Sequence, residues 1–123
     1  MNSKLSPSVR IAVQIMASIL LLVSIGLNAA CHQSYTVMYE AVGSAPAVDI
    51  QVTNPSGATD EYQDQGLPWR FTYGGFDNSQ AYIYAHSNAE EGSVTVNIYV
   101  NGKLERTATS SGPYVTAVTY WDR

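Results

Sequence analysis

The chain has 123 residues, six basic against ten acidic side chains for a formal net charge of −4, and a single cysteine. That length allows one small domain beside a targeting segment, and the acidic balance argues against a nucleic-acid or anionic-lipid surface. One thiol cannot form an internal disulfide, so the domain must be stabilised by packing alone.

In chain order the first element is apolar. Ile11 to Leu27 reads IAVQIMASILLLVSIGL, with Lys4 and Arg10 the only charges before it and no acidic residue before Glu40. A positive start followed by an apolar stretch is the pattern of an export signal or anchor, assigned to residues 1–31. Two fates fit it. A bilayer-spanning helix needs about 20 apolar residues, which this run reaches only if Asn28, Ala29 and Ala30 are counted. Alternatively, Ala29-Ala30 before Cys31 resembles the lipobox of bacterial lipoproteins, whose cysteine is acylated and becomes the new N-terminus. Asn28 stands where that pattern usually has Leu, and it also denies the general signal peptidase its small-x-small site. Cys31 is therefore the expected lipidation site, with a retained helix as the alternative. Acyl chains contribute about 0.8 kcal/mol per buried CH₂, so a triacyl anchor holds firmly. Either fate predicts a domain exposed outside the cytoplasmic membrane, as a periplasmic or cell-surface lipoprotein or a single-pass inner-membrane protein.

Residues 32–123 read as one all-β domain. Four basic residues, Arg70, Lys103, Arg106 and Arg123, face all ten carboxylates there, a net of about −6. Short runs of alternating apolar and β-branched residues follow one another: SYTVMYEAV from Ser34, AVDIQVTN from Ala47, a weaker segment near Thr59 to Gln63, PWRFTY from Pro68, and QAYIYAHS from Gln80. The clearest is SVTVNIYV from Ser93, with Val94, Val96, Ile98 and Val100 on one face and Thr95, Asn97, Tyr99 and Asn101 on the other. Asn101-Gly102 then predicts a type I′ hairpin returning over Leu104 to Thr109. PYVTAVTYW from Pro113 completes the series. Turn clusters separate the runs at Gly43–Pro46, Asn54–Gly57, Gly74-Gly75, Glu90–Gly92 and Ser111–Pro113. Seven to eight antiparallel strands at this spacing predict a single immunoglobulin-like β-sandwich.

The residues offer little to catalysis. Only His32 and His86 could serve as bases; His32 adjoins the anchor, and His86 ends a strand beside Ser87 and Asn88, where a polar strand end explains it. The chain lacks the His and Cys inventory of a structural zinc site. Asp60, Glu61 and Asp64 could hold Ca²⁺ loosely, but without EF-hand spacing they read as a solvated acidic segment. Gly74-Gly75 opens no helix, so it is not a phosphate loop. The expectation is a protein with no catalytic residues, no metal and no cofactor.

The conspicuous feature is aromatic, with nine tyrosines and two tryptophans. Tyr82 and Tyr84 fall on the strand face opposite Ala81, Ile83 and Ala85, and Tyr35 and Tyr39 could stack in the same way on either side of Val37. Such ladders serve as ordinary cross-strand packing or as a contact surface for a sugar, peptide or protein. Tyr82, Tyr84 and Tyr99 are the candidate contact residues, together with Trp69, which also reads as a core or rim anchor.

Several stretches taken together carry a family resemblance. YEAVGSA at Tyr39 to Ala45, LPW at Leu67 to Trp69, IYVNGK at Ile98 to Lys103 and SGPY at Ser111 to Tyr114 resemble, in this order, the MmpS family of small mycobacterial-type membrane proteins. The resemblance implies a β-sandwich at the outer face of the cytoplasmic membrane that acts as an accessory of MmpL transporters, members of the RND superfamily. It therefore implies a non-enzymatic, membrane-tethered accessory of an RND-type exporter. The alternative is a free-standing lipoprotein module binding a glycan, peptide or envelope component through its tyrosine face.

Overall fold

The computed structural model describes residues 34–123, so the n-region, the apolar run, Cys31 and His32 lie outside the described residues. Eight strands form: β1 (Tyr35–Val42), β2 (Val48–Thr53), β3 (Thr59–Gln65), β4 (Trp69–Phe76), β5 (Gln80–His86), β6 (Ser93–Val100), β7 (Lys103–Ser111) and β8 (Thr116–Asp122). They build two four-stranded antiparallel sheets, a back sheet in the order β4-β1-β6-β7 and a front sheet in the order β3-β2-β5-β8. This is the all-β sandwich that the alternation predicts. Strands distant in sequence pair in both sheets, β1 with β6 and β5 with β8, so the chain passes repeatedly between layers.

Period-two patterning decides what lies between the sheets. Val37, Tyr39 and Ala41 of β1, with Val94, Val96 and Ile98 of β6, meet Val48, Ile50 and Val52 of β2 and Ala81, Ile83 and Ala85 of β5, and nearly all are fully buried. Each buried Val, Ile or Phe contributes roughly 1.5–3 kcal/mol, and this core replaces the missing disulfide. Tyr35 and Tyr39 do not stack on each other. The Tyr39 ring is in the core and its hydroxyl crosses to donate to the Thr53 carbonyl at 2.7 Å. Tyr35 instead packs edge-on against Trp121, ring centroids 5.6 Å apart.

Two boundaries differ from expectation, one because pairing overrides local turn chemistry and one because a turn takes residues expected in a strand. Gly74-Gly75 does not end β4; the strand continues to Phe76, which pairs with Tyr35 after a register shift and is fully buried. Pro113 does not begin β8: Tyr114 has φ 52°, a turn conformation, and the strand starts at Thr116. The β6–β7 hairpin forms as predicted, with Asn101 and Gly102 at φ 51° and 81°, the two positive angles of a type I′ turn.

Candidate functional site

The outer face of the front sheet carries an aromatic row. Inward Ala81, Ile83 and Ala85 force Tyr82, Tyr84 and His86 outward on β5, and antiparallel register sets opposite them Tyr120, Val118 and Thr116 of β8. Tyr120 is 63% exposed and Val118 42%, whereas Tyr82 and Tyr84 are half-buried beside them. On the other flank, Gln51 pairs with Tyr84 and Asp49 with His86. Burial, and secondarily Tyr84, pushes the Tyr82 phenol above its ordinary 10.0, so it remains a neutral hydroxyl.

His86 closes the row, its ring stacked at 6.4 Å on Tyr84. Its Nε2 lies 3.1 Å from Asn88 Oδ1 and its Nδ1 2.8 Å from the Thr116 hydroxyl. Both nitrogens are engaged by neutral side chains, and neighbouring Ser87 is buried with its hydroxyl accepting from the Ala89 N–H. His86 also borders a hollow of about 220 Å³ with Asp49 and Asp64, below the roughly 300 Å³ at which small-molecule sites usually begin. Among the described residues no three His, Cys, Asp or Glu side chains gather as a metal-ligand set. The expected acidic trio is dispersed: Asp60 and Glu61 point to opposite sides of β3, and the Asp64 N–H is held by Asp49 Oδ1.

At the other end of the row Tyr82 and Tyr120 form one wall of a larger open groove of about 420 Å³, completed by Thr53, Thr59, Asn78 and Gln80. Its rim is built by hydrogen bonds. Asn54 Oδ1 accepts from the N–H groups of Ser56 and Ala58 and from the Ser56 hydroxyl, which fixes the β2–β3 turn. Asn78 Nδ2 donates to the Gln80 carbonyl, and the Arg123 N–H donates to Ser79, which together fix the β4–β5 turn. Gly57, at φ 89°, is where these turns approach; a Cβ there would meet Asn78 Nδ2 at 3.4 Å.

The other candidate contact residues lie elsewhere. Trp69 is buried at the side of the sandwich against Tyr62 and Phe71, and Tyr73 extends the cluster from Phe71, so that the rings bridge β3 to β4. Tyr73 donates to Asp60 Oδ2 at 2.5 Å, which with a bond from Asn54 holds that carboxyl below its ordinary range. Trp69 is thus packed as a rim anchor, away from the front-face row. Tyr99 is on the outer face of the back sheet, half-buried, with its hydroxyl 3.4 Å from Glu40.

That back face holds a polar knot that no local stretch of the chain announces. Glu40 is only 6% exposed; Arg70 Nε donates to its Oε2 at 2.6 Å and Asn97 Nδ2 to its Oε1 at 2.8 Å. Burial alone would raise its pKa, but the bonds from Asn97 and Arg70, the Arg70 charge and Tyr99 outweigh that and hold it below the ordinary 4.5. Of the four predicted contact residues, only Tyr82 and Tyr84 therefore share a surface, and Tyr120 and Val118 join them. Alternation within TAVTYW places those two on one face, but only the β5–β8 register brings them to the tyrosines.

No family model and no curated protein matches the sequence. Among solved structures the chain is similar to a carbohydrate-binding module from work linking two families of calcium-dependent carbohydrate-binding modules by circular permutation. The similarity has a TM-score of 0.43 at 17% identity and covers 59% of this chain and 62% of that one. The chain thus spans less than two thirds of that module's length, and a likeness of this extent says nothing of ligand.

Proposed function

We propose that the domain is a non-catalytic binding module, held outside the cytoplasmic membrane by its N-terminal segment, whose contact surface is the outer face of the front sheet. The observation that carries this reading is the row of Tyr82, Tyr84 and Tyr120 with Val118, large side chains left at the surface although the core is already complete. Aromatic rings on a rigid sheet present contact area at little entropic cost, which suits recognition.

The test is co-sedimentation of the purified full-length protein with the insoluble envelope fraction of its own cells. Replacing Tyr82 and Tyr120 together by Ala is expected to reduce retention roughly tenfold at unchanged thermal midpoint. Equal retention by the variant would remove this face from the function.

A second reading, an accessory subunit of an RND-type exporter, is favoured by the ordered MmpS-like motifs. In the sandwich these motif residues build strands and turns. Gly43-Ser44-Ala45 is pinned to Ser93 by backbone and hydroxyl bonds, and the Tyr114 N–H donates to Ala89. Motifs of that kind support a shared architecture first and a transporter partner second.

A further inference from the structure

We propose that the groove at the Tyr82–Tyr120 end of the front face is a subsite for a neutral carbohydrate. This rests on the reading of that face as a contact surface and names the ligand class it takes.

The first ground is the pairing of ring and hydroxyl chemistry. Tyr82 and Tyr120 are direct cross-strand partners, so their side chains project side by side from the sheet into the groove. A pyranose presents C–H groups on its faces and hydroxyls around its rim. Aromatic rings complement the former, and the hydroxyls, each both donor and acceptor, need partners that are likewise both. Thr53 and Thr59 supply hydroxyls, and Asn78 and Gln80 supply amides, all with donor and acceptor capacity.

The second ground is charge. No lining residue is ionic. Arg123, which follows β8, is turned to the Tyr35 ring, its guanidinium carbon 5.2 Å from the centroid. Asp122 pairs with Gln80 at the strand end, Asp77 precedes Asn78 in the β4–β5 turn and Asp60 follows Thr59, so apart from Arg123 the charges flanking the two rims are negative. A phosphate or carboxylate ligand would find no counter-charge and a repulsive neighbour, whereas an uncharged ligand loses nothing.

The third ground is size and rigidity. About 420 Å³ falls within the roughly 300–1,000 Å³ usual for small-ligand sites. Both rims are fixed before any ligand arrives, the β2–β3 turn by Asn54 and the β4–β5 turn by Asn78, so little ordering cost falls on binding. From beneath, Tyr39 ties the Thr53 carbonyl to the back sheet.

The test uses the full-length protein in a detergent without a sugar headgroup, titrated with short uncharged oligosaccharides of gluco, manno, galacto and arabino configuration. A hexuronate oligomer and a basic peptide serve as charged controls, and binding is read by calorimetry. The expected result is saturable binding of at least one neutral oligosaccharide, weakened roughly tenfold by Tyr120→Ala and also weakened by Asn78→Ala. Tyr120→Ala is expected to leave the thermal midpoint unchanged, whereas Asn78→Ala also loses the bond that fixes the β4–β5 turn and lowers it modestly. Tighter binding of the hexuronate or the peptide, or neutral-sugar binding unaffected by Tyr120→Ala, would overturn the inference. If no neutral sugar binds while envelope retention still depends on Tyr82 and Tyr120, the carbohydrate inference fails and the contact face stands. If envelope retention is also absent or independent of these tyrosines, both fail.

Discussion

Glu40 occupies a position where strand alternation points a side chain out of the sandwich, yet it is 6% exposed and makes hydrogen bonds to Arg70, Asn97 and Tyr99. Its partners come from β4 and β6, more than 25 residues away in the chain, so nothing local in YEAV announces the knot. Removing the carboxylate leaves the Asn97 amide, itself 8% exposed, without its acceptor. Glu40→Ala is accordingly expected to cost about 1–3 kcal/mol in urea unfolding, and a cost near zero would show that the knot is dispensable. The pH dependence has a definite sign. A carboxyl whose folded pKa lies below its ordinary 4.5 contributes stability above that value, and the contribution drains away as pH falls through the folded pKa. Asp60, held low by Tyr73 and Asn54, acts in the same direction. The wild-type urea midpoint should therefore drop on acidification below about pH 4.5, and Glu40→Gln should drop less steeply. Parallel curves for the two proteins would contradict the assignment.

At the level of elements, signals contained in a few consecutive residues survive and those set by a distant partner do not. The Asn101-Gly102 hairpin was legible because two adjacent positive-φ residues define the turn wherever the strands go. Gly74-Gly75 has the same composition as a turn, but β1 fixes the course of β4, and pairing of Tyr35 with Phe76 carries the strand through both glycines. The glycines differ in what they do, and substitution separates them. Gly43, at φ 142°, ends the β1 arm where it crosses β6, and a Cβ there would stand 2.1 Å from the Ser93 carbonyl oxygen. That oxygen already accepts from the Ala45 N–H and cannot give way without breaking the crossing. Gly43→Ala is expected to cost about 3 kcal/mol or more, combining overpacking with a strained backbone. At Gly74 no atom lies within 4 Å of the added Cβ and φ is not positive, so Gly74→Ala should change stability by less than about 0.5 kcal/mol. Chemical denaturation of the two variants checks both, and equal effects would refute the distinction.

For the molecule as a whole, the two outer faces differ in character. The back face is organised around an ion pair that satisfies itself, and the front face leaves aromatic rings and a neutral groove unfilled. Half of the candidate site was readable from sequence, because alternation in QAYIYAH places Tyr82 and Tyr84 together whatever the topology. Tyr120 needed the β5–β8 register, and the core position of Tyr39 needed the topology that turns its face of β1 inward. If the N-terminal segment tethers the domain as proposed, the tether also decides which partner such a face can meet. A domain fixed at the membrane surface searches two dimensions, so a membrane-embedded partner is favoured by effective concentration alone. If the domain serves an RND-type exporter, tagged protein purified from detergent-solubilised native membranes should bring a large multi-span transporter in comparable amount. Cys31→Ser should release the domain from the membrane fraction and lower that recovery, whereas Tyr82→Ala with Tyr120→Ala should leave it unchanged if the transporter docks away from the groove. Loss of the transporter in the tyrosine variant would assign the front face to the protein partner instead of a sugar. Recovery of the bait alone, from membranes that contain such transporters, would reduce the MmpS-like motifs to what the sandwich already requires of them, the turns and crossings around Gly43, Ser93 and Tyr114.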